Sequence, residues 1–261
     1  MQKENRQGKA TGKGIEPRFY RQTMDKGRLQ SFVVGYKDSD LWIGIDQDSY
    51  NSSIPEFARA ELVKLRIQLE DYILENPFFA ESYTPVMLQP GAPDIVAQMC
   101  NAANKAGTGP MAAVAGVFSE HLGKKILEKF DIKELVVENG GDIFLKLQSN
   151  IMIAVYAGDS PLSGKIGIEI PAADTPLGIC TSAGTVGPSV SFGKADAVMV
   201  ACRNTALADA LATAIGNKVS TAADIDKQLA TIDVYPEIYS LLIICEGKVG
   251  IKGKYELKLV R

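Results

Sequence analysis

The stretch GICTSAGTVGPSVSFGKADAVMVACRNTALADALATAIGN, residues 178–217, contains three kinds of local structure in succession. Residues 181–193 are rich in small and hydroxyl side chains and predict a loop. Residues 195–202 are a short apolar run with β-branched members and predict a strand. Asn204 or Thr205 can cap a helix that ends at the last glycine of the stretch. A small-residue loop that meets a strand and a helix N-terminus is typical of a ligand cleft, because backbone N–H groups can approach an anion there.

The helix in this stretch has two chemically different faces. Leu207 and Leu211 belong to an apolar face, whereas Asp209 and Thr213 lie four residues apart on the opposite side. A carboxylate and a hydroxyl stacked among alanines can hold a hard cation such as Mg²⁺ with a phosphate above it. The alternative is a polar stripe that is merely solvated, and spacing alone favours it because two residues carry little information.

The composition is that of an ordinary globular chain. Its 261 residues, 46% hydrophobic and 23% charged, are enough to bury a sizeable core. A formal net charge of −3 at pH 7 gives no reason to expect nucleic acid or an anionic membrane as a partner. No apolar run approaches the length of about 18 residues that a transmembrane helix needs. We therefore expect neither nucleic acid nor a membrane as a partner.

The N-terminal segment, the four cysteines and the single histidine further limit the kinds of protein and of site to expect. Residues 1–17 are polar and basic, which predicts a disordered tail in place of a secretory signal and leaves residues 18–261 as one domain. The four cysteines show no CxxC spacing and have apolar neighbours, which indicates reduced core thiols and a cytoplasmic protein. The single histidine, His121, excludes a His-rich metal site, and its helical surroundings favour a structural or surface role.

Strand patterns occur in pairs along the chain, and helix patterns occur in groups. Residues 31–36 and 41–45 flank a polar turn and predict a hairpin. Ser53 and Glu56 have the spacing of a capping box at the start of a long helix. Residues 134–147 read as strand, tight turn and strand. This order predicts an α+β fold with a largely antiparallel sheet and packed helices.

Three segments, in this order, resemble the FAD:protein FMN transferase (ApbE-like) superfamily. They are GPMAAVAGVFSE at 109–120, VVENGGDIFL at 136–145, and CTSAG with ADALATAIGN at 180–184 and 208–217. The likeness is to an uncharacterised cytoplasmic branch more than to the transferase itself. It implies a T-fold-like α+β fold and a cleft that holds a flavin dinucleotide over Mg²⁺, so the expected cofactors are Mg²⁺ with FAD or FMN.

The resemblance also implies roles for individual positions. In the transferases, the Asp and Thr of a D-x-x-x-T element contact the metal, and those positions here are Asp209 and Thr213, the pair that helix geometry places on one face. The positions that the resemblance places beside the flavin nucleotide are Gly140, Gly141, Asp142, Thr181 and Ser182.

The chain departs from the transferase pattern at several positions. Glu138 replaces the asparagine of N-x-G-G-D, Ala183 replaces the glycine of T-S-G, and Ala115 replaces a lysine. Residues 184–194 contain no counterpart of the His-x-x-Asp-Pro segment. A catalytic base would then have to be Asp142, Glu138 or Glu120, unless the chain has none, and the first two can raise each other's pKa.

Three functions remain open on these grounds. The first is an enzyme that uses Mg²⁺ and a flavin or related nucleotide in a phosphoryl-type transfer, with Glu138 or Asp142 as the candidate catalytic residue. The second is a flavin or nucleotide carrier without catalysis, which the missing groups favour. The third is a homo-oligomeric structural protein on the same fold.

Overall fold

The computed structural model describes residues 27–183 and 192–260 of the chain. The tail at residues 1–17 and most of the expected small-residue loop, residues 184–191, lie outside the described residues. The strands are β1 Leu29–Tyr36, β2 Ser39–Asp46, β3 Leu135–Asn139, β4 Asp142–Lys146, β5 Ile151–Ala154, β6 Ile166–Ile170, β7 Leu177–Ser182, β8 Ala197–Cys202, β9 Ile238–Cys245, β10 Lys248–Gly253 and β11 Leu257–Leu259. The helices are α1 Ile54–Glu75, α2 Phe78–Glu81, α3 Asp94–Ala106, α4 Val114–Lys129, α5 Thr205–Gly216 and α6 Ile225–Leu229.

The strands form two antiparallel sheets. The larger has eight strands in the order β1-β2-β3-β4-β7-β8-β9-β10, and every neighbouring pair is antiparallel. The smaller has the order β11-β6-β5. The predicted α+β fold with a largely antiparallel sheet is therefore confirmed. None of the helices in the described part of the chain combines the length and the apolar character needed to span a bilayer.

Each face of the large sheet is covered by its own apolar core. Because side chains alternate along a strand, Ile43 joins the core beneath the helices while its neighbour Trp42 joins the core beneath the small sheet. Helices α1, α4 and α5 pack against strands of the large sheet on the first face. All four cysteines are buried and free of disulfides, as the sequence predicts.

The start of α1 differs from its sequence signature. Ser53 makes no side-chain hydrogen bond to the helix, and its hydroxyl instead lies 2.9 Å from the side-chain oxygen of Asn51. The capping box predicted from Ser53 and Glu56 is therefore wrong, because the serine backbone is already helical and its hydroxyl has a partner outside the helix.

The prediction that a loop begins at residue 181 is wrong, because β7 continues to Ser182. Thr181 and Ser182 are the last two residues of β7, where they pair with Met199 and Val198 of β8. Their hydroxyl side chains resemble loop residues in the sequence, but pairing with β8 keeps their backbone extended. Both residues therefore approach the site from the end of a strand and not from a loop.

Candidate functional site

The turn between β3 and β4 forms one wall of the site. Gly140 and Gly141 have φ angles of 69° and 102°, which side-chain-bearing residues rarely adopt. The fully buried side chain of Glu138 accepts a hydrogen bond from the Gly141 N–H over 2.7 Å. The carboxylate that replaces the transferase asparagine therefore closes the turn, and Asp142 follows as the first residue of β4.

The end of β7 lies beside this turn. Ile143 pairs with Ile179, so the antiparallel register brings Asp142 next to Cys180. The side chain of Cys180 and the backbone of Thr181 both lie close to the Asp142 carboxyl group. Of the predicted ligand-side residues, Gly141, Thr181 and Ser182 are half-buried and Gly140 is exposed, so they form an accessible rim around Asp142.

Helix α5 supplies the opposite wall. The backbone N–H of Gly116 in α4 donates a 2.8 Å hydrogen bond to Oδ2 of Asp209. A Cβ at Gly116 would lie 2.5 Å from the carbonyl oxygen of Thr205 and 2.9 Å from the Cβ of Asp209, so only glycine permits this approach. The small residues of the GPMAAVAG segment thus serve close packing of two helices.

Asp209 and Thr213 occupy different environments although they share a helix face. Asp209 is only 9% exposed, so the interpretation of this side chain as part of a solvated stripe is wrong. Within α5, which the structure describes in full, Thr213 alone is not buried. The helix therefore presents a buried carboxyl group and, one turn later, a half-buried hydroxyl.

Burial raises the pKa values of both aspartates. Burial raises the pKa of Asp142 well above its ordinary value, and the nearby charges of Asp209 and Glu138 raise it further. Burial also raises the pKa of Asp209 to about 7, although hydrogen bonds from the backbone of Gly116 and Ala115 oppose the shift. Two buried carboxyl groups in proximity favour either a bound proton or a bound cation.

The oxygen donors of Asp209 and Thr213 are of the kind that could hold Mg²⁺. Among residues 27–183 and 192–260, no three or more His, Cys, Asp or Glu side chains are grouped to hold a metal. Mg²⁺ typically takes one or two carboxylates from the protein and completes its shell with water and substrate phosphates. The oxygens of Asp209 and Thr213 fit that role.

The expected anion site at the start of α5 is absent. Oε2 of the buried Glu120 accepts the Thr205 N–H over 2.7 Å, and the side chain of Asn204 accepts the Leu207 N–H over the same distance. The first turn of α5 is buried, and two of its N–H groups already bind side chains of this chain. The sequence-based prediction of anion binding there is wrong, and ligand approach is left to the face with Thr213.

Sequence reasoning missed two contacts that assemble the site. The side-chain amide of Asn139 donates to the carbonyl of Ala115 over 3.3 Å and so ties the glycine turn to α4. Cys180 lies fully buried against Asp142 and donates its thiol to the carbonyl of Thr205 over 3.3 Å. Asn139 lies inside the quoted turn motif, but nothing in its spacing indicates a contact with α4.

His121 lies in a different part of the molecule. It lines a cavity of about 240 Å³ between α1, α3 and α4, together with Glu61, Asp94 and Lys125, and none of the predicted site residues lines that cavity. Burial and the charge of Lys125 lower the pKa of His121. Its position on α4, outside the carboxyl cluster, agrees with the structural or surface role favoured by its sequence.

Comparisons with known proteins identify the family. A family model described as AbpE bacteria matches residues 21–236. The chain belongs to this family. A UPF0280 protein of Methanocaldococcus jannaschii is 40% identical to this AbpE-family chain over 226 residues, covering 84% of the chain and 88% of that relative. The predicted membership of an uncharacterised ApbE-like branch is confirmed.

Solved structures share the fold of this AbpE-family protein. The flavinyl transferase ApbE of Pseudomonas stutzeri has a TM-score of 0.55 at 14% identity, covering 88% of this chain and 94% of its own. An ApbE protein of Thermotoga maritima has a TM-score of 0.52 at 13% identity, covering 86% and 96%. Identity this low shows a common fold and nothing about activity.

Proposed function

We propose that this AbpE-family protein binds a flavin nucleotide, FAD or FMN, together with Mg²⁺ in the cleft between the glycine turn and α5. The main support for the proposal is that two buried carboxyl groups lie near each other, Asp142 from the sheet and Asp209 from α5. The fold shared with the flavinyl transferase ApbE of Pseudomonas stutzeri supports the choice of ligand. The half-buried rim of Gly141, Thr181 and Ser182 is open to the phosphates.

Asp209 and Thr213 are the proposed cation ligands. Mg²⁺ bound there would neutralise the buried carboxylates and stabilise negative charge on the phosphate oxygens. Ala115 stands where the transferases carry a lysine, so the chain has no cation of its own at that position. Nucleotide binding should therefore depend strictly on Mg²⁺, because the phosphates would otherwise lie beside two acidic groups without a cation to offset their negative charge.

For catalysis we assign the base of a phosphoryl-type transfer to Asp142. Burial and the neighbouring carboxyl groups raise the pKa of Asp142, and a carboxylate with a raised pKa is a stronger base than an ordinary one. In this role it takes the proton of an acceptor hydroxyl while the hydroxyl oxygen attacks phosphorus and the bond to the leaving phosphate breaks. The other candidate, Glu138, is fully buried and already accepts the Gly141 N–H, which favours a positioning role.

A carrier without catalysis is the second candidate function. It is favoured by Glu138 and Ala115, which replace an asparagine and a lysine of the transferases. A carrier retains Mg²⁺-dependent binding but releases no AMP from FAD. A purely structural protein, the third alternative, binds neither nucleotide.

The proposal is tested by a thermal-shift screen with FAD, FMN, ATP and a pterin, each with and without Mg²⁺. A ligand present at 100 times its Kd adds about 2.7 kcal/mol of stability, which is readily measured. We expect a Mg²⁺-dependent shift with a flavin nucleotide that is lost in Asp209→Asn and retained in Asp226→Asn, a matched change at an exposed aspartate. The absence of a shift with every compound would overturn the proposal.

A further inference from the structure

The two edge strands of the large sheet, β1 and β10, differ in how well they are protected against pairing with a strand of another chain. Strand β1, LQSFVVGY, contains no charged residue and no proline, and it pairs with β2 over all eight residues without a bulge. Strand β10, KVGIKG, carries Lys248 and Lys252, both exposed, and two glycines. Charges, prolines and bulges are the usual means by which edge strands avoid pairing with other chains. β10 has such protection, and β1 has none.

The outer edge of β1 presents a regular row of backbone groups. The turn at Lys37 and Asp38 joins Tyr36 to Ser39 as the closing pair of a two-residue hairpin. Alternation along the ladder then directs the N–H and C=O groups of Ser31, Val33 and Gly35 away from β2. In the described part of the chain, β1 makes backbone hydrogen bonds to β2 alone.

The side chains of β1 are suited to pairing with themselves. Val33, at the centre, is 55% exposed, although it lies next to the buried Trp42 of β2. Phe32, on the opposite face, is half-buried, and Val34 is 4% exposed. Apolar and aromatic pairs stabilise directly opposed strand positions, whereas like charges destabilise them. An uncharged strand is compatible with an identical strand beside it.

We propose that β1 pairs antiparallel with β1 of a second copy about a two-fold axis at Val33, so that two large sheets become continuous. In this register Val33 opposes the partner's Val33, Phe32 opposes the partner's Val34, and Ser31 opposes the partner's Gly35. The residues whose backbone groups face outward oppose one another, as an antiparallel ladder requires. The pairing is closed, because each copy uses the same edge of its large sheet, the unprotected one among the described strands.

This dimer is independent of the proposed flavin function. Asp142 is on β4, which is separated from the edge strand β1 by β2 and β3. At about 4.8 Å per strand, the site is roughly 14 Å from the new interface, so pairing leaves the cleft open. A dimer that binds no flavin would contradict only the proposed function. A flavin-binding monomer would contradict only the proposed dimer.

The test is the mass of the full chain in solution, measured by light scattering after size exclusion, for wild type, Val33→Lys and Val33→Glu. We expect wild type at twice the 28.1 kDa of one chain and each variant at the single-chain mass. An equimolar mixture of the two variants should regain the doubled mass, because lysine then opposes glutamate across the axis. Val234→Lys, a matched change at a valine that is 71% exposed and outside the strands, should remain dimeric.

Hydrogen exchange supplies a second readout that does not depend on mass. The amides of Ser31, Val33 and Gly35 should exchange slowly in wild type and quickly in Val33→Lys, while those of β8 stay protected in both. A single-chain mass for wild type would overturn the proposal. A doubled mass that persists in both Val33 variants would also overturn it, because the dimer would then use another surface.

Discussion

Gly116 donates its backbone N–H to the carboxylate of Asp209 across the contact between α4 and α5, at 2.8 Å. One turn further along α4, Glu120 accepts the N–H of Thr205, one turn earlier in α5. The two hydrogen bonds run in opposite directions between antiparallel helices and fix their register. The carboxyl group proposed to bind Mg²⁺ is therefore held by the packing of α4 against α5.

Gly116→Ala should disrupt this packing. The new Cβ would lie 2.5 Å from a backbone oxygen, so the helices must separate, at a cost of about 1–3 kcal/mol in the free energy of unfolding. Denaturant unfolding measures the loss. Gly216→Ala is the matched control, because its Cβ would meet atoms no closer than 3.7 Å. Equal stability of the two variants would show that the close approach is unimportant.

Glu120→Gln should weaken the start of α5. A hydrogen bond to a charged group contributes about 1.5–3 kcal/mol, and the neutral amide retains only part of it. We expect reduced unfolding free energy and weaker Mg²⁺-dependent flavin binding, measured by chemical denaturation and titration calorimetry. Glu128→Gln, which changes an exposed ion-paired carboxylate on the same helix, should leave the unfolding free energy close to that of wild type. Matching results for the two variants would contradict a role for Glu120.

The stability of the metal-free protein should fall as pH rises from about 4 to about 7. The folded state holds protons on Asp142 and Asp209 at pH values where the unfolded carboxyl groups, with ordinary pKa values of 3.8, have lost them. The folded state therefore binds more protons, and raising the pH favours unfolding. Asp209→Asn should flatten this dependence in urea denaturation with a chelator present. Parallel pH profiles for wild type and variant would count against the buried pair.

Asp142→Asn should separate binding from catalysis. The amide keeps the size of the carboxyl group but cannot accept a proton, so AMP release from FAD should drop about a hundredfold or more. Mg²⁺-dependent flavin binding should remain, because Asp209 and Thr213 are unchanged. Chromatographic detection of AMP measures turnover. A wild-type protein that binds FAD and releases no AMP would favour the carrier function.

Local sequence patterns are sufficient to predict much of the fold and part of the candidate site. The spacing of Asp209 and Thr213 follows from helix geometry, and the turn glycines are a local signal. The contacts of Glu120 with Thr205 and of Gly116 with Asp209 join residues 85 and 93 positions apart, and no local pattern encodes them. Thr181 was misread for the same reason, since its extended backbone depends on pairing with β8.

The most direct test of the proposed function is a crystal structure of the full chain with FAD and Mn²⁺, which replaces Mg²⁺ and is located by its anomalous scattering. We expect one Mn²⁺ within about 2.2 Å of an Asp209 carboxylate oxygen and the Thr213 hydroxyl, with the flavin phosphates beside the turn glycines. Mn²⁺ and FAD bound elsewhere, or an Asp209 that contacts only Gly116 while FAD occupies the cleft, would contradict it.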